Sequence, residues 1–281
     1  MITNKLDKPL VSIIITTKNS GRTIWKCLNS IAAQAYKNIE IIIVDNYSDD
    51  MTIPIINAPC FLKNKIKLYQ CGPERSAQRN YGIKRAKGKY ILYLDSDQYI
   101  HNETVKECVL FANYGFTMLA IPEINVPDNL LNRAINYEKE FTSYKRYKAL
   151  PRFMLKEIFD KVGGFNEHRT FDEDIEMTIR IKYCGERLIT KPLLHDEGTS
   201  LWKLLKKYYY YGGLSRLGQI TCAEYDDKIK EYYGLDGRFF LNCLIFFLKK
   251  PILFLVAIAI KTLKYASFGL GMWLRGGEYY K

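Results

Sequence analysis

The chain has 281 residues, of which 48% are hydrophobic, and it carries a formal net charge of +12. A chain of this length buries one sizeable core, which favours one large domain with an appendage over two equal domains. The charge indicates a polyanionic partner such as nucleic acid, an anionic lipid surface or a diphosphate. Because no zinc-finger spacing, RNP-like strand or helix-turn-helix pattern accompanies the charge, we expect no nucleic-acid partner.

The seven cysteines are odd in number and include no CxxC pair. Scattered cysteines of this kind are typical of a reduced compartment, and they argue against a disulfide framework or a zinc site. The segment from Met1 to Pro9 is short and polar and has no apolar run like that of a signal peptide. We therefore expect the catalytic part of the protein to remain in the cytoplasm.

The first 121 residues alternate between strand-like and helix-like patterns. Two β-branched apolar runs, Leu10–Thr16 and Ile39–Asp45, are typical of parallel strands buried on both faces. Between them, apolar residues three and four apart predict a helix from Thr23 to Gln34. The alternation continues with strands at Ile66–Tyr69, Tyr90–Asp95 and Thr117–Ile121 and helices at about Glu74–Ala86 and Asn102–Asn113. We predict a doubly wound, mostly parallel α/β sheet flanked by helices.

The alternation weakens after Ile121. We expect helices at about Val126–Tyr144 and Glu173–Cys184, with a short apolar patch at Arg152–Leu155 between them. This irregular half completes a domain that we place at residues 1–198. Residues 199–281 are expected to form a separate helical segment.

The last 83 residues carry much of the basic charge. They contain 13 Lys and Arg against 6 Asp and Glu, so they hold +7 of the net charge of +12. Ser200–Tyr211 is predicted to form an amphipathic helix rich in tyrosine and lysine, a composition typical of a membrane interface.

Two apolar runs follow, Phe239–Leu248 and Ile252–Ile260, and a Lys-Lys-Pro sequence divides them. Charges and a proline in mid-span are costly in a bilayer, so one simple spanning helix is disfavoured. We predict two short helices that lie in, or dip into, the cytoplasmic leaflet. A pair of buried packing helices is the alternative.

Polar side chains follow the predicted strands at their carboxyl ends, where doubly wound sheets bind ligands. Asp95-Ser96-Asp97 comes directly after an apolar strand. Two carboxylates two residues apart can hold Mg²⁺ or Mn²⁺, which favour carboxylate and phosphate oxygens. Other polar residues expected at this edge are Thr16, Thr17, Asn19 and Asp45. The sequence therefore predicts a divalent-cation site there.

A second acidic group, Asp172-Glu173-Asp174, opens the helix predicted to begin at Glu173. The helix dipole favours carboxylates in a first turn, so capping explains one or two of these acids. Capping alone does not require as many acidic residues as this group contains. An Asp held at a rigid helix start can also serve as a general base.

Two further features have open interpretations. His195 ends a short apolar segment, and it is either an ordinary surface or core histidine or a contact to metal or diphosphate. Arg75, Arg79 and Asn80 belong to the helix before the Asp95 strand. They form either a solvated helix face or a group that braces a phosphate or the acidic cluster.

Six segments in chain order closely resemble family 2 glycosyltransferases over about Pro9 to Ser200: PLVSIIITTKNS, IEIIIVDNYSDD, GPERSAQRNYGIKRAKGKYILYLDSD, GGFNE, FDEDIEMTIRI and LLHDEGTS. The resemblance implies an inverting sugar transferase of the GT-A fold that takes a UDP- or GDP-sugar with Mg²⁺ or Mn²⁺. It also implies a nucleotide-binding half in residues 1–121 and an acceptor and catalytic half in residues 122–198.

The resemblance assigns expected roles to individual residues. Asp97 is expected to be the direct metal ligand, with Asp95 and His195 as further ligands, and Asp174 matches the family's catalytic base. The residues expected to bind the nucleotide sugar are Thr16, Thr17, Asn19, Asp45, Arg75, Arg79, Asn80, Asp95, Ser96 and Glu173.

The acceptor is expected to be lipid-linked or a glycan, reached at the cytoplasmic face of the cell membrane by a peripheral or monotopic enzyme. The C-terminal part lacks the Gln-x-x-Arg-Trp signature of processive synthases, which favours single addition. If the acceptor is a polyprenyl phosphate, its oxygen is already ionised and Asp174 is less necessary as a base.

Two other classes of protein remain as alternatives. A sugar nucleotidyltransferase should have a glycine-rich loop after the first strand, whereas Thr16–Gly21 contains one glycine. An inactive membrane scaffold should have lost Asp97 or Asp174, and both are present.

Overall fold

The computed structural model describes residues 7–58, 65–142, 151–169, 173–181, 189–196, 198, 200–221 and 237–275. The chain forms two compact units. The first comprises Met1–Glu123, Ala149–Glu167 and Arg180–His195, and the second comprises Ile124–Lys148, His168–Ile179 and Asp196–Lys281. The boundary predicted after residue 198 differs from this division. The reason is that a helix from the middle of the chain packs with the C-terminal helices in the second unit.

The main sheet of the first unit contains six strands among the described residues: β1 (Val11–Thr17), β2 (Ile39–Asp45), β3 (Ile66–Gln70), β4 (Tyr90–Asp95), β6 (Met118–Leu119) and β8 (Phe153–Leu155). Their order is β3-β2-β1-β4-β8-β6. Strands β3, β2, β1 and β4 are parallel, so their carboxyl ends share one edge. Strand β8 is antiparallel to β4 and β6. The largely parallel α/β sheet confirms the predicted class.

Helices cover this sheet: α1 (Ile24–Ala32), α2 (Thr52–Asn57), α3 (Arg75–Arg85), α4 (Thr104–Asn113) and α6 (Lys156–Lys161). The predicted apolar face of α1 is buried. Helix α3 lies directly on the sheet, because a Cβ added at Gly82 would overlap the side chain of Ile14 on β1. The short helices α2 and α6 lay outside the sequence prediction.

A smaller sheet also lay outside the prediction. Its strands are β5 (Gln98–Tyr99), β9 (Leu193–His195) and β7 (Glu123–Asn125), with β9 in the middle. Strand β5 is antiparallel to β9, and Gln98 pairs with His195. This pairing brings His195 beside the segment that follows Asp95-Ser96-Asp97, although the two are about a hundred residues apart in the sequence.

The second unit is helical where it is described. Its helices are α5 (Leu130–Thr142), α7 (Glu173–Arg180, which reaches the boundary of the unit), α8 (Leu201–Thr221), α9 (Gly237–Lys249) and α10 (Pro251–Arg275). Ala134 and Ile135 of α5, Leu204 of α8, and Ala257 and Ile260 of α10 form its buried core.

The prediction of two short C-terminal helices was wrong for the second one. Helix α10 continues to Arg275 and has 25 residues, whereas its apolar run was expected to end at Ile260. The helix continues through Lys261 and Lys264, which are good helix formers, and Glu138 accepts hydrogen bonds from both of them. By length and composition, α10 is the helix among the described residues that could cross a membrane, over Pro251–Leu274.

Candidate functional site

The loops after β1 and β2 are joined around Asp45. This residue is fully buried. Its Oδ1 accepts a hydrogen bond from Thr17 Oγ1 at 2.7 Å, and its Oδ2 accepts one from the backbone N–H of Ser48, also at 2.7 Å. Asp45 therefore shapes the loop at the carboxyl edge. Direct contact between its carboxylate and a base or ribose stays a prediction.

Asn19 and Tyr47 give these loops their form. Both have positive φ angles, 47° and 51°, which is uncommon for residues other than glycine. The Asn19 N–H donates to Ser48 Oγ at 2.8 Å, and Asn19 Oδ1 accepts from the Asp49 N–H at 3.1 Å. Tyr47, which the sequence analysis did not single out, leaves its aromatic side chain 61% exposed beside this linked pair of loops.

Asp95 is the inner carboxylate of the Asp-Ser-Asp segment. Arg79 of α3, itself fully buried, donates to Asp95 Oδ1 at 2.9 Å, and Gln98 Nε2 donates to Asp95 Oδ2 at 3.2 Å. Burial raises the pKa of Asp95, but the charges of Arg79, Arg152 and Arg75 outweigh burial and hold the pKa below its usual value. Asp95 is therefore ionised, and both of its oxygens are engaged by the protein.

Ser96 anchors the middle of the segment. Its Oγ lies 2.6 Å from Ser20 Oγ, in the loop after β1. Thr16 Oγ1, at the end of β1, lies 3.5 Å from Asp95 Oδ1. The predicted residues Thr16, Asp95 and Ser96 are thus brought together at one edge of the sheet.

Asp97 is the outer carboxylate, and its side chain is 31% exposed. Its Oδ2 lies 3.0 Å from His195 Nε2, and His195 Nδ1 lies 2.9 Å from Glu123 Oε1. Burial lowers the pKa of His195, but the hydrogen bonds and charges of Asp97 and Glu123 outweigh burial and raise the pKa to about 10. With no cation bound, His195 is therefore protonated at neutral pH and donates to both carboxylates, and Nε2 must release its proton before it can bind a metal ion.

Glu123, Gln98 and Arg152 belong to the same network, and the sequence analysis missed them. Arg152 donates to Glu123 Oε2 at 2.8 Å, and Gln98 Nε2 donates to the same oxygen at 3.2 Å. A continuous chain of contacts thus links Arg79, Asp95, Gln98, Glu123, His195 and Asp97. The position of Gln98, directly after Asp97, was the one local signal that could have identified it.

Asn80 makes contacts that the sequence pattern did not indicate. Its side chain is buried and spans the GGFNE segment, because Asn80 Oδ1 accepts from the Phe165 N–H at 2.8 Å and Asn80 Nδ2 donates to the Phe165 carbonyl at 2.9 Å. Asn80 Nδ2 also donates to Glu167 Oε1 at 2.8 Å. These contacts make Asn80 the anchor of the loop, and its contact with the nucleotide sugar stays a prediction.

The predicted base belongs to the second unit. Asp174 lies in the first turn of α7 and is half-buried, while the adjacent Glu173 is buried. The backbone carbonyl of Asp174 accepts a hydrogen bond from Thr178 Oγ1 at 2.6 Å, as expected for an α-helical turn that holds this residue in a fixed position. Asp172 lies outside the described residues.

The residues around Asp97 can supply part of the ligand set of a hard divalent cation. Within the described ranges, no group of three or more His, Cys, Asp and Glu side chains has the arrangement of a complete metal site. Asp97 has an accessible carboxylate with His195 beside it, whereas the oxygens of Asp95 are engaged by Arg79 and Gln98. The Asp97 carboxylate, joined by His195 once Nε2 has released its proton, leaves room for diphosphate oxygens, which Mg²⁺ and Mn²⁺ favour. The donor set therefore fits a cation that binds together with a diphosphate.

Comparison with known proteins identifies related sequences. The sequence profile described as Glycosyl transferase family 2 matches residues 12–170. The UDP-Glc:alpha-D-GlcNAc-diphosphoundecaprenol beta-1,3-glucosyltransferase WfaP of Escherichia coli is 30% identical over 209 residues, which cover 69% of this chain and 68% of WfaP. The poly(ribitol-phosphate) beta-N-acetylglucosaminyltransferase TarS of Staphylococcus aureus is 35% identical over 228 residues, 76% of this chain. The aligned part covers 37% of TarS, so the chain spans well under half of that relative.

Solved structures resemble the fold. The structure of S. aureus TarS 1-349 in complex with UDP-GlcNAc has a TM-score of 0.54 at 20% identity, with 96% of this chain and 91% of that chain covered. The mannosyltransferase PcManGT from Pyrobaculum calidifontis, in complex with GDP-Man and Mn²⁺, has a TM-score of 0.57 at 17% identity, with 92% and 76% covered. These similarities confirm the predicted GT-A type of α/β fold.

Proposed function

The chain belongs to glycosyl transferase family 2, and on that premise we propose that it transfers a sugar from a UDP- or GDP-sugar to an acceptor, with inversion at the anomeric carbon. One observation carries the proposal. At the carboxyl edge of the parallel strands, Asp97 is partly exposed and contacts only His195 among the contacts described above, while Arg79 and Gln98 engage both oxygens of the neighbouring Asp95. This is the arrangement expected of a carboxylate that binds a metal–diphosphate group at such an edge.

The donor is proposed to bind at the joined loops after β1 and β2 and at the Asp-Ser-Asp segment. Solved structures of similar fold are complexes with UDP-GlcNAc and with GDP-Man, which supports both nucleotide classes. Asn19 and the buried Asp45 keep the loops in place. The exposed ring of Tyr47 offers an aromatic surface next to them.

Asp97 and His195 are the residues that would hold Mg²⁺ or Mn²⁺. When bound, the cation supplies positive charge that stabilises the departing nucleoside diphosphate. Arg79 holds Asp95, and Glu123 orients His195 through Nδ1, which directs Nε2 toward Asp97. These fixed neighbours set the geometry of the edge before the donor arrives.

Asp174 is proposed as the general base. A sugar hydroxyl has too high a pKa to attack unaided at neutral pH, so its proton must be removed as its oxygen forms a bond to the anomeric carbon. The bond from that carbon to the diphosphate oxygen breaks in the same step, and the nucleoside diphosphate leaves. With a polyprenyl phosphate acceptor the attacking oxygen is already ionised, and the base is not needed.

The acceptor is proposed to be lipid-linked and reached at the cytoplasmic face of the membrane. The E. coli relative is named for a diphosphoundecaprenol-linked acceptor, which supports this class of acceptor. The second unit contains a helix of the length and composition of a membrane span, together with exposed apolar residues on α9.

A screen of UDP- and GDP-sugars by thermal shift, with Mn²⁺ and with EDTA, tests the proposal. A ligand that binds the native state raises its apparent stability by mass action. We expect at least one donor to raise the melting temperature in the presence of Mn²⁺ and not in EDTA, and the same donor to release its nucleoside diphosphate on prolonged incubation. If no nucleotide sugar binds in the presence of Mn²⁺, the proposed function is wrong.

A further inference from the structure

One face of α10 is exposed and apolar along almost its whole length. Its large side chains are Ile252, Leu255, Leu263, Leu270 and Trp273, which are between 43% and 77% exposed. At 1.5 Å per residue they mark a stripe about 30 Å long. No described residue of this stripe carries a charge.

The opposite face of α10 packs tightly inside the second unit. Ala257 and Ile260 lie in its core, and Ser267 Oγ donates to the Leu205 carbonyl of α8 at 2.7 Å. A Cβ at Gly271 would overlap the carbonyl of Tyr209, so the backbones of α8 and α10 are in direct contact there. Helix α10 is therefore a structural part of the second unit on one side and uncovered on the other.

The two lysines in the middle of α10 lie on the packed side. Lys261 and Lys264 each donate to Glu138 of α5 at 2.9 Å, and Lys264 Nζ also lies 5.3 Å from the ring centre of Tyr208. Burial raises the pKa of Glu138, but the charges of Lys264 and Lys261 outweigh burial and lower it, so Glu138 is ionised. Both lysine ammonium groups therefore have a charged partner inside the unit, and neither lies on the exposed face of α10.

Helix α9 also has exposed apolar side chains. Leu241, Leu244 and Leu248 are more than half exposed. Lys249 and Lys250, which are also exposed, lie at the junction of α9 and α10. Such a combination of a broad apolar surface and adjacent lysines is complementary to a bilayer of anionic phospholipid.

The packing argues against a span. If α10 crossed the hydrocarbon core, the helices packed along it would have to enter that core with their exposed charged residues, which is costly. These residues include Arg133 and Glu140 on α5 and Lys203 and Lys206 on α8. With α10 parallel to the bilayer, they can stay in water while the apolar stripe enters the lipid.

We propose that the exposed face of α9 and α10 lies in the plane of a leaflet of anionic phospholipid, at the boundary between headgroups and acyl chains, and that α10 does not cross the bilayer. This docking would bring a lipid-linked acceptor to the enzyme, and that role rests on the proposed function. Binding to the bilayer itself is independent of catalysis.

The binding surface is tested by flotation of the full chain with vesicles of phosphatidylethanolamine and phosphatidylglycerol. Leu255→Glu and Trp273→Glu place a charge in the apolar stripe, and each is expected to reduce partition into vesicles by about tenfold or more. Leu110→Glu is the matched control, because Leu110 is an exposed leucine on α4 of the first unit. It should float like the parent. Circular dichroism and donor-induced thermal shift check that all three variants are folded.

The orientation is tested with cleavable tags placed before Met1 and after Lys281 in protein expressed in bacteria. An in-plane helix leaves both tags protected in sealed spheroplasts and both cleaved in inverted inner-membrane vesicles. A spanning α10 instead exposes the C-terminal tag in spheroplasts, and this result would overturn the in-plane arrangement.

The outcomes separate the two proposals. If the folded parent does not float, or if both stripe variants float as well as Leu110→Glu, the docking surface is wrong while donor binding leaves the transferase proposal intact. If the parent floats and the stripe variants do not, but no donor binds, the docking surface stands and the proposed function fails.

Discussion

Each unit of the molecule contains a carboxylate that two or more basic side chains hold in its ionised form. In the first unit Arg79 donates to Asp95, with Arg152 and Arg75 contributing charge, and in the second Lys261 and Lys264 donate to Glu138. In both cases positive charge outweighs the effect of burial and lowers the carboxyl pKa.

What remains exposed around the two carboxylates differs. Pairing within the first unit engages Asp95 and leaves the neighbouring Asp97 partly exposed, so the edge of the sheet keeps a charged group available for ligands. Pairing within the second unit directs the lysines of α10 toward Glu138 and leaves an uncharged surface outside. The same kind of contact thus prepares a polar binding edge in one region and an apolar surface in the other.

The largest expected effect tests whether the second unit contributes chemistry as well as docking. Asp174→Asn keeps the shape of the side chain but cannot accept a proton, so turnover with a hydroxyl acceptor should fall by about 10²–10⁴-fold while donor affinity is retained. The pH–rate profile should also lose the limb due to the base. Glu157→Gln, which changes an exposed acid in the first turn of α6, is the control and should leave both unchanged.

A rate for Asp174→Asn close to that of the parent with every acceptor tested would contradict this role. The base would then lie elsewhere, or the acceptor would be an ionised phosphate. In that case the second unit would be distinguished from the first by lipid docking alone.

The next effect concerns the stability of the second unit. Glu138→Gln leaves Lys261 and Lys264 without their counter-charge, and breaking a buried pair of this kind lowers the free energy of unfolding by about 3 kcal/mol. Urea unfolding measures the difference. Glu140→Gln, on the exposed side of the same helix, should change it little. A loss for Glu138→Gln no larger than that of the control would show that the pairs do not stabilise the packing of α10.

The Glu138 effect should depend on pH in a defined direction. Because the folded-state pKa of Glu138 is lowered, its contribution is present above its unfolded pKa of about 4.3 and is lost as the pH falls toward the folded value. The difference between parent and Glu138→Gln should therefore shrink below about pH 4.

A smaller effect is expected for Glu123, which contacts His195 Nδ1 and is proposed to position it. Glu123→Gln should weaken Mn²⁺ binding in the presence of donor by about 10–100-fold, because the partner that orients the histidine loses its charge. Electron paramagnetic resonance of free Mn²⁺ measures this separately from activity. Glu103→Gln, at an exposed position directly before α4, is the control, and equal Mn²⁺ affinities for the two variants would contradict the role.

The smallest expected effect is on vesicle binding, when a lysine next to the apolar surface is replaced. Each lysine near an anionic bilayer contributes about 1 kcal/mol before salt screening, so Lys250→Gln should reduce flotation by roughly fivefold at low salt. Salt should weaken binding of the parent without ending it. Flotation that is unchanged by both the substitution and the salt would show that apolar contact alone accounts for binding.

The sequence predicts the first unit better than the second, and particular residues show why. Apolar runs such as Val11–Thr17 are buried on both faces, so local composition is enough to identify them. The apolar run was expected to end before Lys261, whereas α10 continues through Lys261 and Lys264, whose partner Glu138 lies more than 120 residues earlier and offers no local signal. In sequence, a lysine that pairs inside the protein looks like a lysine that faces solvent.

The candidate site was predictable from the sequence only in part. Asp95 and Asp97 follow a recognisable strand and were identified from it, and the structure places both at the edge of the sheet. Glu123 begins the three-residue strand β7 and Arg152 directly precedes the three-residue strand β8, and nothing in the local sequence indicates that the two side chains meet. Asn80 was expected to bind the nucleotide sugar because it lies on the helix before the Asp95 strand. Its side-chain amide instead forms hydrogen bonds with a loop 85 residues away in the sequence, a contact that has no local signal.

The most direct test of the account is donor turnover by the parent and by Asp97→Asn, measured as release of nucleoside diphosphate from the donor identified by thermal shift. With Mn²⁺ present, we expect the substitution to reduce the rate by about 10²–10³-fold while flotation with vesicles and the melting temperature of the free protein stay close to those of the parent. EDTA should reduce the parent to a similar level. Full turnover in excess EDTA, or an Asp97→Asn variant as fast as the parent, would contradict the proposal that Asp97 binds the metal–diphosphate group.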